Sequence, residues 1–382
     1  MHLKELRLLD FRNHHDSKFE FSPCVNILLG ENGQGKTNVI EAISYLCTTK
    51  SFYAGGDSEA LKFDAEMFEV SGAFELEHAS DSIARVAYER ETGRKVFTIN
   101  RQPQERFSTV IGKYPVVICA PENAPITMGG PSERRTFVDF VLSQSAPSYL
   151  AALMEYRRVI KHRNRILSDA RDSGESCDEM LGPWDEQLLK LGSQIMSRRK
   201  QFVDEFQAYL QSAYEKLVGE EEIPQMAYEP ATKDGVASSE EEFRSRLELG
   251  LQRLRSVEMK IGASLVGPHR DEFSCAINER ELRKFASQGQ HKTFLVALKV
   301  AEFFYLKERC DETPILLLDD LFSELDERRA QRLLEFTASL SQTFITSTTL
   351  HLFDKTFEFG DKARKFYIRS GRIIEDPAMV LA

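Results

Sequence analysis

An eight-residue segment, Gly30–Thr37, limits what this chain can fold into more than any other feature. It reads GENGQGKT and matches the pattern G-x-x-x-x-G-K-[ST]. The apolar run Val25–Leu29 before it is typical of a strand buried on both faces, and Val39, Ile40 and Ile43 after it recur at helical spacing. A strand, a glycine-rich loop and a helix in this order predict an α/β fold with a phosphate-binding loop; a purely structural glycine turn is the alternative.

The residues of this loop have the chemistry to hold ATP and Mg²⁺. Glycines let backbone N–H groups approach the β-phosphate, and the N-terminal end of the following helix adds positive charge. We expect Lys36 to contact the β- and γ-phosphates and Thr37 to offer its hydroxyl to magnesium, which favours oxygen ligands. The predicted nucleotide-binding residues of the loop are Gly30, Glu31, Asn32, Gly33, Gln34, Gly35, Lys36 and Thr37.

Two carboxylates follow a second apolar run far downstream. Ile315–Leu318 reads as a buried strand, and Asp319 and Asp320 come directly after it. We expect Asp319 to hold magnesium, and Asp320 to orient or deprotonate the attacking water. The alternative is an apolar strand that merely ends in solvated acidic residues.

The segment Ser287–Gln290, SQGQ, stands directly before a helix predicted from His291 to Arg309. A serine and a glycine at a helix N-terminus make an anion site, because a hydroxyl, unpaired N–H groups and the helix dipole point outward. Ser287, Gly289 and Gln290 are therefore predicted to contact a γ-phosphate, and Ser287 joins Lys36, Asp319 and Asp320 as a catalytic candidate. An ordinary helix cap is the alternative.

A large insertion separates the loop from the acidic strand. Residues 67–99 alternate like an antiparallel β meander, whereas apolar residues recur at helical spacing between 148 and 261. Ser238 and Glu241 fit a capping box that starts the third of these helices. The prediction is an ATPase head made of residues 1–147 and 262–382, with residues 148–261 as an inserted helical arm.

The composition is that of an ordinary globular protein. With 382 residues, 42% of them hydrophobic and 29% charged, the chain is long enough for two lobes and is not expected to be disordered. Its net charge of -10 does not by itself indicate a nucleic-acid partner, although a local basic face would attract one. Scattered cysteines without zinc-like spacing, no signal sequence and no run near the roughly 20 apolar residues of a membrane span predict a cytoplasmic protein.

Basic residues form a stripe on one predicted arm helix. Arg157, Lys161 and Arg165 recur at i, i+4 and i+8, a spacing that could meet backbone phosphates without reading sequence. A solvated helix face is the alternative. Arg198–Arg199 is a second DNA candidate, and Arg134–Arg135 fits either ion pairs or a ligand contact.

The order of these motifs resembles the ABC ATPase heads of the SMC and Rad50 group and, within that group, the RecF family. The resemblance spans nearly the whole chain. Further matching segments are Phe11–Asn13, Pro121–Glu122, Gly129–Pro131, Arg134–Arg135, Phe137–Asp139, Gly267–Asp271, Ser323–Asp326 and Arg369–Arg372.

This resemblance implies a homodimer that closes on ATP, in which Ser287 of one chain completes the site built by Lys36 and Asp319 of the other. Ser323–Asp326 would run along the seam between the two heads. It also implies action on gapped or damaged DNA, at single-stranded regions or junctions, with RecO and RecR, to help load RecA. An SMC-like tether is a rival reading, but the arm is short for it; a small-molecule kinase is another, but no acceptor site is evident.

Three departures from the ABC pattern indicate slow, switch-like hydrolysis, and we separately expect DNA to stimulate it. The usual histidine after the last core strand is not evident, since Phe344–Thr346 leads into Ser347 and His351 comes late. The second acid is Asp320 where a glutamate is commoner. No glutamine of the Q-loop kind stands near Pro121–Glu122.

Overall fold

The computed structural model describes residues 1–53, 55–219, 221–231, 237, 239–322, 331, 334, 337, 340–350, 353 and 362–374. The chain divides into two compact units, one formed by Met1–Ala124 with Leu295–Ala382 and the other by Pro125–Phe294. The predicted arm, residues 148–261, falls within the second unit, and its boundaries as a separate domain stay a prediction. Among the described residues, no helix is long and apolar enough to cross a bilayer.

The described residues form these strands: β1 His2–Phe11, β2 His14–Glu20, β3 Val25–Leu29, β4 Met67–Glu75, β5 Ser82–Glu89, β6 Lys95–Ile99, β7 Gln102–Pro103, β8 Val116–Cys119, β9 Pro224–Glu229, β10 Glu272–Ile277, β11 Arg280–Glu281, β12 Ile315–Leu318, β13 Thr343–Ser347, β14 Ala363–Arg369 and β15 Arg372–Ile374. They also form these α-helices: α1 Lys36–Thr48, α2 Pro125–Met128, α3 Pro131–Ser145, α4 Pro147–Ser173, α5 Asp178–Val218, α6 Glu240–Ile261, α7 Leu282–Phe285 and α8 Gln288–Arg309. The division between the two units falls within α8.

A mainly parallel sheet carries the first unit. Its strand order is β15-β14-β3-β13-β12-β8, with every neighbouring pair parallel except β14 and β15. Every residue of β3, β8, β12 and β13 is buried, and β8 and β12 accordingly read as continuous apolar runs. Because the parallel strands point the same way, the loop after β3 and the two acids after β12 emerge at one edge.

An antiparallel sheet of order β2-β1-β4-β5-β6-β7 accompanies it in the same unit. Burial alternates along β4, with Phe68, Val70 and Phe74 inward, so one face packs on a core and the other meets solvent. Phe68 lies edge-on to Tyr45 of α1, with ring centroids 5.7 Å apart. The predicted meander between residues 67 and 99 and the α/β class of the fold are confirmed.

The second unit is built mainly from long helices. Tyr149, Leu153 and Tyr156 of α4 are buried, as their helical spacing predicts. The sequence does not predict β9, which pairs with β10 in a small antiparallel sheet, because the strand is short and lies in a polar stretch. The cap of α6 is Ser239, whose side chain accepts from the Glu242 N–H, whereas Ser238 lies outside the described residues.

Candidate nucleotide-binding site

The loop between β3 and α1 has a conformation that only glycine adopts without strain. Gly35 has a φ of 108°, and a Cβ there would lie 2.5 Å from the Asn13 side-chain oxygen. Gly30 has a φ of 154°, and a Cβ there would lie 2.3 Å from the Ile368 carbonyl oxygen. The motif glycines therefore serve close packing around the loop as well as the approach of a phosphate.

Lys36 closes this loop on itself. The side chain is buried, and its Nζ donates to the carbonyl oxygens of Gly30 and Glu31 at 2.8 and 2.7 Å. Burial lowers the pKa of Lys36, while the nearby charges of Asp320, Asp319 and Glu31 act in the opposite direction. The ammonium is thus held at the loop by groups that a phosphate oxygen could replace.

Asp319, directly after β12, contacts the phosphate loop at the same edge of the sheet. Its Oδ1 accepts from the Thr37 hydroxyl at 3.0 Å and from the Thr346 hydroxyl at 2.6 Å. The side chain is buried, and this burial raises its pKa despite the two hydrogen bonds. A buried carboxylate beside a hydroxyl is a hard-oxygen pair that suits Mg²⁺, whose presence would keep the carboxylate ionised.

Asp320 takes a left-handed backbone conformation with a φ of 47°. Its N–H donates to the Thr346 hydroxyl at 2.8 Å, so one threonine anchors both acids. Glu122, in the short turn after β8, is a further carboxylate at this edge. Burial raises its pKa first, and the charges of Asp319 and Glu41 raise it further. Acidic groups therefore crowd the place where the motifs predict a cation.

Residues from both ends of the chain brace the phosphate loop. The carbonyl of Gln34 accepts from the Asn13 side chain at 3.1 Å and from the Gly371 N–H at 2.9 Å. The Gln34 side chain accepts from the Ser370 N–H at 2.7 Å. The sequence reading noted Asn13 and Gly371 only as part of a resemblance and assigned them no role.

His14 is fully buried beneath the same loop. Its Nε2 lies 3.0 Å from the Gly35 carbonyl oxygen, so this nitrogen carries the proton and donates. Its Nδ1 lies 3.0 Å from the Ser17 hydroxyl oxygen, and that hydroxyl donates its hydrogen to the Gly371 carbonyl oxygen. Burial lowers the pKa of His14. No motif pointed to His14, because its role depends on a contact between distant segments.

The segment Ser287–Gln290 forms a reciprocal helix cap in the second unit. The Ser287 hydroxyl accepts from the Gln290 N–H at 3.2 Å, and the Gln290 side chain accepts from the Ser287 N–H at 2.9 Å. Gln290 also donates to Glu222 at 2.8 Å. The local geometry is thus the ordinary cap that was the alternative reading, yet Ser287 and Gln288 remain exposed and Gly289 half-buried.

The basic residues separate into buried and exposed sets. Arg199 is buried and ion-paired to Asp139 and Asp271, so it faces no solvent. Arg134 is buried and pairs with Glu272, which settles the choice for Arg134 in favour of an ion pair. The stripe on α4 is exposed along its length; its members are Arg157, Lys161 and Arg165. Ser323–Asp326 and His351 lie outside the described residues.

The fold and this loop define an ABC-type P-loop ATPase head. The family model described as the RecF/RecN/SMC N terminal domain matches residues 2–371. The DNA replication and repair protein RecF of Salinibacter ruber is 41% identical over 358 residues, which cover 91% of this chain and 85% of that protein. The chain therefore belongs to the RecF family of DNA replication and repair proteins.

Solved structures agree with this placement. A structure of the recombination mediator protein RecF with ATP, in the RecFOR pathway, superposes with a TM-score of 0.89 at 31% identity, covering 97% of this chain and 96% of that one. The Smc head domain of Pyrococcus furiosus superposes with a TM-score of 0.55 at 16% identity, covering 98% of this chain and 96% of that one. The second likeness concerns the fold alone.

Proposed function

We propose that this chain binds ATP with Mg²⁺ through Gly30–Thr37 and Asp319 and hydrolyses it slowly, as a switch in DNA repair. The main support for this proposal is the 3.0 Å hydrogen bond between the Thr37 hydroxyl and the Asp319 carboxylate, which joins the phosphate loop to the acidic strand. Thr37 and Asp319 would hold the cation together with phosphate oxygens and water. This sharing fits the described residues, which contain no cluster of three or more His, Cys, Asp or Glu able to bind a metal alone.

The positions of the two acids suggest different roles for them in metal binding and in the activation of water. Asp319, buried and bonded to two hydroxyls, would hold the metal, while Asp320 is half-buried and would orient or deprotonate water. Thr346 and Ser347 stand where an ABC protein commonly has a histidine. The absence of a histidine there, and an aspartate as second acid, support a slow reaction, and we propose separately that DNA accelerates it.

We further propose that the chain works as an ATP-dependent homodimer in the cytoplasm. Exposed Ser287 of one copy would meet the γ-phosphate held by Lys36 of the other, so the closed dimer would be favoured only with ATP. The likeness to a structure placed in the RecFOR pathway supports action with RecO and RecR at gapped DNA to load RecA.

A pair of matched variants tests the metal and water roles. Asp319→Asn keeps the shape of the side chain but removes its charge, so we expect ATP affinity to lose its dependence on Mg²⁺. Asp320→Asn should bind ATP-Mg normally but release phosphate at least 100-fold more slowly, the usual contribution of a general base. Titration calorimetry with and without Mg²⁺ gives the first result, and phosphate release with and without DNA gives the second.

The opposite outcomes would count against the proposal. Undiminished Mg²⁺ dependence in Asp319→Asn would remove the metal role of that residue. Fast release without DNA, or release that DNA leaves unchanged, would exclude a DNA-stimulated switch. Stimulation by a metabolite instead of DNA would favour a small-molecule kinase.

A further inference from the structure

The second unit contains a buried ionic network centred on Arg199. Its Nη2 lies 2.8 Å from Asp139 Oδ1, and its Nη1 lies 3.2 Å from Asp271 Oδ2. Tyr149 donates its hydroxyl to Asp139, and Tyr228 donates its hydroxyl to Asp271. The buried guanidinium thus bridges both carboxylates, but its single positive charge balances only one of them.

Among the described residues, Arg135 and Arg270 have no carboxylate within ion-pair distance, and Arg157 shares Asp139 with Arg199. Arg135 donates to the Asp271 carbonyl oxygen at 2.7 Å, and Arg270 donates to the Ser264 carbonyl oxygen at 2.9 Å. The Arg157 side chain is 66% exposed, and its Nη2 lies 3.6 Å from Asp139 Oδ2. A carbonyl contact orients a guanidinium but does not neutralise it, so these groups keep their charge.

The carboxylate of Glu272, the residue after Asp271, is already paired with another arginine. Glu272 accepts from Arg134 Nε at 2.9 Å and from Arg134 Nη2 at 2.8 Å, a bidentate pair. Burial lowers the pKa of Arg135, and the charge of Arg199 lowers it further, while the carboxylates of Asp271, Glu272 and Asp139 act in the opposite direction. With Glu272 paired to Arg134, this region has the guanidinium groups of Arg199, Arg135, Arg157 and Arg270 and the carboxylates of Asp139 and Asp271.

A contact between elements places α4 next to the turn that carries Arg270. The Tyr156 hydroxyl of α4 lies 2.7 Å from His269 Nδ1, so α4 touches the turn that carries Arg270. Arg157 follows Tyr156 in the chain, and Lys161 follows it one helical turn later. Arg165 ends the series at 84% exposure, with a weak 3.9 Å contact to Asp169.

We propose that Arg135, Arg157 and Arg270 form a binding site for the phosphate backbone of a nucleic acid, which continues along α4 through Lys161 and Arg165. The length favours a polymer over a single anion, because Arg157 to Arg165 alone spans about 12 Å along the helix axis. Guanidinium groups bind phosphate oxygens in a bidentate manner and carry no sequence preference when they contact only the backbone. The proposal rests on DNA binding as part of the proposed function and locates it.

The test is the salt dependence of DNA affinity, measured by fluorescence anisotropy on duplex and single-stranded DNA with ATP present. Each lost phosphate contact should flatten the plot of log affinity against log salt by about 0.9 on duplex DNA and about 0.7 on single strands. The triple variant Arg135→Gln, Arg157→Gln, Arg270→Gln should therefore lose a slope of about 2 to 3 on duplex DNA and at least 10-fold in affinity. ATP affinity should stay unchanged.

Arg158→Gln is the matched control. Arg158 is 70% exposed on the same helix, lies 3.2 Å from Glu155 and points about 100° away from Arg157 around the axis. It should leave the slope as it is. The double variant Arg157→Gln, Arg270→Gln changes only exposed side chains and keeps the half-buried Arg135 contact. A smaller loss of slope in this variant would therefore reflect lost phosphate contacts and not misfolding.

The outcomes are separable. If the wild type binds DNA and the triple variant has the same salt slope as the wild type, the proposed site is wrong, but DNA binding by the protein still stands. A wild-type chain that binds ATP but no DNA would remove both. A Lys-substituted triple variant that keeps the slope would support the charge-based reading.

Discussion

His269 is a half-buried histidine whose protonation state is coupled to folding. Its Nε2 lies 3.1 Å from the Ser264 carbonyl oxygen, and burial, its largest influence, lowers its pKa to about 4. An unfolded chain would take up a proton near the ordinary pKa of about 6.5, so the unfolded state binds more protons between pH 6.5 and 4. Stability should therefore fall as the pH drops through this window.

We expect lowering the pH from 7.5 to 5.5 to cost the wild type on the order of 1 kcal/mol through His269 alone. His269→Asn should lack this component, so its stability should depend less steeply on pH than that of the wild type. Urea unfolding at both pH values gives the comparison, and His15→Asn, at a 70% exposed side chain, serves as control. Parallel pH profiles for wild type and His269→Asn would contradict this view of His269.

At the scale of elements, the hairpin of β14 and β15 contacts the phosphate loop through its turn. Gly371 has a φ of 70°, and a Cβ there would lie 2.2 Å from the Asn13 carbonyl oxygen. We expect Gly371→Ala to lower stability by about 1 to 3 kcal/mol and to weaken ATP binding, since the Gly371 N–H holds the Gln34 carbonyl. Thermal unfolding and ATP titration measure the two effects.

Gly93→Ala is a matched control for this change. Gly93 has a φ of 62°, but a Cβ there would meet nothing within 4 Å. It should cost about 1 to 2 kcal/mol from the left-handed backbone alone and leave ATP affinity unchanged. Equal effects of both substitutions on ATP binding would mean that the hairpin does not support the loop.

Elements with a strong local signal could be predicted from the sequence. The runs Val25–Leu29 and Ile315–Leu318 became strands with the predicted limits because both are buried on both faces. The cap at Ser239 was predicted one residue early, since neighbouring Ser-x-x-Glu patterns overlap there. The roles of His14 and Thr346 could not be predicted, because each depends on contacts between segments far apart in the chain.

At the scale of the whole molecule, the proposed dimer makes Ser287 essential for dimerisation and hydrolysis. Ser287 would contact the ATP bound by the other copy and would not help its own chain to bind ATP. Ser287→Arg would place a bulky cation where a γ-phosphate from the other copy should dock. We expect ATP affinity to stay unchanged, while dimerisation and hydrolysis are lost. Analytical ultracentrifugation with ATP, with Lys36→Arg as a variant defective in ATP use, measures the first effect.

Two results would refute the shared site. One is normal phosphate release by Ser287→Arg, and the other is a wild-type chain that stays monomeric with ATP at high protein concentration. A variant that dimerises but does not hydrolyse would narrow the role of Ser287 to catalysis.

The position of β3 has a consequence for how the protein is made. Its two sheet neighbours, β13 and β14, both lie far downstream of it in the chain, as does the glycine turn that secures the loop. A ribosome-bound chain that ends before Thr343 carries the whole GENGQGKT segment but lacks both strands that flank it. The phosphate loop can therefore take its final position only after these downstream strands have been made.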